Sequence, residues 1–281
     1  MPKPPQRKTE WKDQYTLLCE SCGYILEGLD QSLPCPECGK PITESLPERR
    51  VGTPWQQKPG FKSLLQTWGM TISNPFKTLD QLRPCTSGID SLKIVSCAAT
   101  SFVMLGAIYL LQIRTLIQID RLNATPLILF FVEASTFFVL LLILLLGLTW
   151  IESFGLRFIG RRKRFRVSPS LSNAITSHAC AGWVLGSILF GSGLFIGLVV
   201  FEYSTPSISL SSSDFKSFDE LIQTAQNVQV PPAPRWAEAL LIGLPWFGFL
   251  LGFLFFETFA YLGLRRCKYA NTLPPKEQSD G

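Results

Sequence analysis

Polar and apolar residues are segregated along this chain into blocks. Apolar runs follow Lys93, Pro126, His178 and Glu238, each near the roughly twenty residues with which a helix crosses a bilayer. They predict four spans, Ile94 to Ile113, Leu127 to Leu146, Ala179 to Val200 and Ala239 to Ala260. Ahead of them, Phe61, Leu64, Leu65, Trp68 and Ile72 recur at helical spacing, with Lys62, Ser63, Gln66 and Thr67 between. This predicts amphipathic helices over 61–83, lying at the membrane interface or packed against the N-terminal segment. Asn74-Pro75 breaks them, and Phe76, Leu79 and Leu82 carry the apolar edge on to Pro84.

Of 281 residues, 47% are hydrophobic and only 17% charged, where a soluble domain carries about a quarter. A multipass membrane protein fits; a disordered chain, a collagen-like repeat and a disulfide scaffold do not. Residues 1–60 lack the apolar core of a signal peptide, so the first span is expected to direct insertion. Of 26 Lys and Arg, 12 precede the first span, 6 lie between Arg157 and Arg166, and 4 follow the last. The alternate loops hold only 4: Arg114, Arg121, Lys216 and Arg235. The positive-inside bias then predicts both termini cytoplasmic and residues 114–126 and 201–238 outside. The outer loop 201–238 holds a further candidate helix, opened by Ser217 with Glu220 as a capping box.

Gly182, Gly186, Gly193 and Gly197 in span three, and Gly248 and Gly252 in span four, follow GxxxG spacing. Such faces let helix backbones approach closely, so spans three and four are expected to pair, and the same faces offer a route to a homo-oligomer. Pro245 should bend span four, and Trp183 and Trp246 fall near opposite interfaces. Glu133 and Glu257 are the carboxylates within the spans, candidate intramembrane polar sites at different depths. No chain of ionisable groups links them. The basic run Arg161, Arg162, Lys163, Arg164 and Arg166 reads as a topology determinant touching anionic lipid headgroups.

Specific chemistry is concentrated ahead of the membrane. Cys19-Glu20-Ser21-Cys22-Gly23 and Cys35-Pro36-Glu37-Cys38-Gly39 are two knuckles with twelve residues between the inner cysteines. Two residues between thiolates let both sulfurs reach one tetrahedral metal, and the glycine allows the tight turn. Cys19, Cys22, Cys35 and Cys38 form a closed set with no position for water, which makes a zinc here structural. Four thiolates also suit iron. The fold class that follows is an all-α membrane domain of four helices with a small β-type four-cysteine ribbon over 15–46. A basic tail (1–14) expected to be disordered, a linker (47–60), the membrane domain (93–265) and a C-terminal tail (266–281) complete the division.

The module resembles a short zinc ribbon. It is also similar to the rubredoxin-type domain of rubrerythrins, through Cys19-x-x-Cys22-Gly23-Tyr24 and Cys35-Pro36-x-Cys38. That second likeness implies a redox-active iron. Over the whole chain the resemblance is to bacterial membrane proteins, frequent in planctomycetes, that join such a ribbon to several spans. Trp68 and Asn74-Pro75-Phe76 ahead of the first span resemble the Yip-type membrane domain, which usually has five spans.

Between Cys19 and Lys40 the ribbon has Glu20, Glu27, Asp30 and Glu37 against one Lys, and a filled site adds two negative charges. Nucleic acid is excluded as a partner on that ground. Contact with a cytoplasmic protein, through Tyr24, Ile25, Leu26 and Leu29 where the ribbon's own core leaves them free, is the expectation. One His, and no GxSxG elbow or P-loop, give no reason to read an enzyme. The leading expectation is a non-enzymatic membrane protein presenting a cytoplasmic zinc ribbon for protein contact. The alternatives are a membrane-tethered rubredoxin-like electron carrier and a small-solute or lipid transporter.

Overall fold

Prolines and capping side chains set where the helices begin. A computed structural model describes residues 15–84, 88–118, 124–204 and 234–272, with side chains outside 111–131. The expected tail 1–14 and the Ser217–Glu220 capping box lie outside the described residues. After two 3-10 turns, Ile42–Ser45 and Pro47–Arg49, comes a single helical turn, α1 (Pro54–Gln57). Helix α2 (Phe61–Ser73) ends at Asn74, whose side-chain oxygen accepts from the amide of Lys77 at 3.0 Å while Pro75 opens α3 (Pro75–Gln81). The predicted break is there because one residue caps and the next has no amide to donate.

Among the described residues five further helices follow: α4 (Ile89–Gln118), α5 (Ala124–Arg162), α6 (Pro169–Ala179), α7 (Ala181–Ser204) and α8 (Arg235–Arg266). Four stretches among the described residues are long and apolar enough to cross a membrane: Ile89–Leu110, Val132–Arg162, Pro169–Ser204 and Arg235–Arg266. The chain is an integral membrane protein by length and composition. The expected second span ends too soon. Helix α5 has 39 residues, about 58 Å at 1.5 Å per residue, and runs far past Leu146. Thr149, Ser153, Leu156 and Gly160 stay buried at helical spacing there, so one packed face carries the helix onward. Its end is closed by Phe165 N–H to the carbonyl of Gly160 (2.8 Å) and Arg164 N–H to that of Arg161 (3.1 Å), with Arg164 at φ 58°.

Helices α7 and α8 pair through the glycine faces. A Cβ on Gly252 would collide with the Cα of Gly186, and one on Gly182 would lie 2.7 Å from the carbonyl oxygen of Gly252. Gly193 meets the backbone of Leu244, Gly197 that of Leu241, and Gly248 that of Leu189, each under 3.0 Å. Both glycine faces are therefore used inside one chain. Trp183 does not sit at an interface as its position suggests. It is 1% exposed, with its ring centroid 4.7 Å from that of Phe256 and within 6 Å of those of Phe249 and Phe253. A flat indole fills the space beside the glycine contact, which a smaller residue would leave open. Trp246 remains exposed.

On α2, Leu64 and Trp68 turn inward to Trp55 and Leu92, and Trp68 Nε1 donates to Ser96 at 2.9 Å. Phe61 and Leu65 point outward. One helix thus packs on the bundle and keeps a second apolar edge free. His178 is fully buried: its Nδ1 lies 2.8 Å from the carbonyl of Ala174 and its Nε2 2.9 Å from Thr53 Oγ1. The carbonyl can only accept, so Nδ1 carries the proton and Thr53 donates to Nε2.

Candidate metal centre

Each knuckle is one turn built twice. The amide of Cys19 donates to the carbonyl of Tyr24 and that of Gly23 to the carbonyl of Cys19, both at 2.8 Å. Sixteen residues on, Cys35 N–H meets Lys40 O at 2.8 Å and Gly39 N–H meets Cys35 O at 2.9 Å. Gly23 and Gly39 take φ of 79° and 72°, the left-handed conformation that a side chain disfavours. The expected β-type ribbon is reduced to this: the described residues form no strand, and single antiparallel bridges, Leu18 to Ile25 and Pro34 to Pro41, close the two turns. Each pairing reaches one backbone bond further out, Leu26 N–H to Leu17 O at 2.9 Å and Ile42 N–H to Leu33 O at 3.4 Å, too short a run to count as a strand.

The four sulfurs converge. All lie within 4.8 Å of one another, with Cys19 to Cys38 at 3.5 Å and Cys22 to Cys35 at 3.7 Å. Tetrahedral ligands about 2.3 Å from a zinc stand about 3.8 Å apart, so this spacing fits one ion. Burial alone would push the Cys19 thiol up, but the amides of Cys22 and Ser21 and the neighbouring thiols bring it down to about 7. Burial raises Cys22. The set can hold a metal and, with four protein ligands, leaves it closed.

Residues that sequence reading missed fix this centre to the helices. Arg166, grouped in the sequence with the lipid-facing cations, is 8% exposed and points inward. Its guanidinium donates to the carbonyls of Thr16 and Ala270 and to Asn271 Oδ1, because the turn after α5 swings it under the ribbon. Arg161, Arg162, Lys163 and Arg164 stay exposed. Asn271 pairs with Leu18 as a second peptide would: Oδ1 accepts from Leu18 N–H at 3.0 Å, and Nδ2 donates to the carbonyls of Leu18 and Ser45 at 2.7 and 2.6 Å. All four of its hydrogen-bonding positions are used.

Glu20, counted in the sequence among surface acids, grips Arg50 through two bonds of 2.9 and 3.0 Å. Arg50 is 4% exposed and also donates to the carbonyls of Leu79 and Leu82. Burial works against its charge, and the Cys267 sulfur and Glu20 more than offset that. Glu27, Asp30 and Glu37 are the ribbon acids that stay exposed. Leu26 belongs to the ribbon's core, Tyr24 and Leu29 are half-buried, and Ile25 is exposed.

The membrane carboxylates stay apart. Glu133 is exposed on the surface of α5, and Glu257 is half-buried on α8. Glu257 has a neighbour the sequence did not single out, Glu152 of α5, close enough for their charges to interact. Comparison of the chain with protein-family models, with curated proteins and with solved structures finds no match.

Proposed function

We propose that this is a non-enzymatic protein of the bacterial cytoplasmic membrane whose ribbon holds a structural zinc and offers one face to a cytoplasmic protein. The ribbon, both ends of the chain and the Arg161–Arg166 run lie on the basic side of the spans, which the positive-inside bias assigns to the cytoplasm. The observation that carries the reading is a closed sulfur set seated on the bundle through its first knuckle. Ile25 and Leu33 are 45% and 55% exposed and Glu27, Asp30 and Glu37 are exposed as well, which gives the ribbon an apolar and acidic surface. A basic-rimmed protein surface complements it.

The test is metal analysis and visible absorption of full-length protein expressed with iron and zinc both present, followed by crosslinking in the native membrane. Colourless protein with zinc, and a crosslinked partner lost in Ile25→Asp/Leu33→Asp at unchanged zinc content, supports the proposal. Stoichiometric iron with thiolate charge-transfer bands replaces it with membrane-tethered electron transfer. An unchanged crosslinking pattern removes the docking face.

A further inference from the structure

The seam between ribbon and bundle holds a polar cleft of about 310 Å³. Six cations line it against three carboxylates. Glu20 is taken by Arg50, Asp80 by Arg266, and Glu44 is divided between Lys40 at 3.5 Å and Arg49 at 3.9 Å. Arg265 and Lys268 have no carboxylate partner among the described residues; each lies over a tyrosine ring, Tyr261 at 5.8 Å and Tyr269 at 5.4 Å. A filled four-thiolate site lies beside the cleft, since Glu20 and Ser21 stand between two of its ligands, and its two negative charges offset two of the three surplus positive ones, leaving the cleft net positive. A concavity with surplus positive charge and an exposed hydroxyl, Ser21, suits the several acceptor oxygens of a phosphate.

Position identifies what would carry that phosphate. Arg265 and Arg266 end α8, a helix of membrane-crossing length, so the cleft opens where headgroups lie. Two exposed aromatic rings border it. Tyr261 also has Lys163 Nζ at 5.9 Å, and Phe76 lies beneath the Arg266 guanidinium at 5.8 Å. Aromatic rings beside cations are the side chains expected at the hydrocarbon boundary.

We infer that this cleft binds the phosphomonoester of an anionic lipid headgroup, with Arg265 and Lys268 as its phosphate ligands and Ser21 as a further donor. The inference rests on the membrane reading and is independent of which metal or protein the ribbon takes. Its test uses full-length protein in phosphatidylcholine nanodiscs doped with phosphatidate, the retained lipid being counted by native mass spectrometry. Arg265→Gln/Lys268→Gln should lower phosphatidate retention about tenfold or more, whereas Lys58→Gln/Lys62→Gln, which removes equal charge from exposed positions around the start of α2, should change it less than about twofold. Equal losses in the two variants would overturn the site in favour of a diffuse basic surface. Phosphatidylglycerol retained as well as phosphatidate would overturn the monoester, and displacement by inorganic phosphate at matched concentration would overturn the lipid source. Unchanged metal content and melting temperature separate loss of the site from loss of fold. Failure to enter nanodiscs at all would overturn the membrane reading as well.

Discussion

The two knuckles of the ribbon share a backbone and differ in everything around it. In the first, Leu18 and Cys19 are wholly buried, Glu20 is gripped by Arg50, and the ring of Tyr269 covers Gly23. In the second, Cys38 and Leu33 are exposed, and nothing lies within 4 Å of where a Cβ on Gly39 would stand. Ligand geometry explains the likeness, since two sulfurs and a following glycine produce the same turn each time. The contrast comes from residues far away in sequence: Arg50, Arg166, Tyr269 and Asn271. The cysteine and glycine spacing shapes both knuckles, and the helices pack on the first.

Removing the metal should erase the contrast and have the largest effect. Structural zinc contributes on the order of 10 kcal/mol to modules of this kind. Chelation is expected to abolish hydrogen-exchange protection at the amides of Gly23 and Gly39 alike while α7 and α8 keep theirs. Protection that survived at Gly23 alone would mean that the bundle, not the metal, maintains the first knuckle. Next in size is Arg50→Ala, which strands the Glu20 carboxylate and two buried carbonyls and should cost about 3 to 5 kcal/mol. Arg49→Ala, one residue away and exposed, should stay within about 0.5 kcal/mol. Thermal melting of the metal-loaded protein measures both, and equal costs would remove the clamp from the account.

What could be read in advance divides along the same line. The ligand set, the helix break at Asn74-Pro75, the four apolar stretches and the pairing of the glycine faces all rest on short-range spacing. The attachment of ribbon to bundle does not. Arg166 is one cation in a basic run and Glu20 one acid beside a cysteine, and nothing in either neighbourhood marks them for burial. Their partners lie 105 and 30 residues away. Trp183 misled for the same reason: an indole near a span end fits an interface, and only the opposing Phe249, Phe253 and Phe256 turn it inward. The length of α5 was hidden by the polar residues past Leu146, whose buried helical stripe has meaning only once α6 packs on it.

Alanine at the two glycines addresses the knuckles directly. Both φ values are positive, so either substitution should cost about 1 kcal/mol through the backbone. At Gly23 the new methyl group would also fall 2.8 Å from the Tyr269 ring, and the displacement should add about 1 to 2 kcal/mol. Gly39→Ala meets open space. Melting of the two variants, each repeated with Tyr269→Ala, checks the assignment: the Tyr269 change should bring Gly23→Ala down to the cost of Gly39→Ala. A gap that persisted would place its origin elsewhere.

The smallest effect separates two ion pairs at the same seam. Arg50 and Glu20 are buried, whereas Arg266 and Asp80 are 50% and 41% exposed at similar bond lengths. Solvent screening should hold the cost of Asp80→Asn within about 1 kcal/mol at neutral pH. Partial burial would raise the Asp80 carboxyl, but the Arg266 hydrogen bonds and the charges of Arg266, Arg50 and Arg49 hold it below the usual range. A depressed carboxylate stabilises the folded state above its unfolded pKa of about 3.9, and that contribution disappears as pH falls through the lower folded value. Wild-type and Asp80→Asn melting curves should therefore run parallel above about pH 5 and converge only in stronger acid. If Asp80→Asn instead cost as much as Arg50→Ala, exposure would not be what distinguishes the pairs, and the division between a held and a free side of the ribbon would have to be drawn through the α8 contact as well.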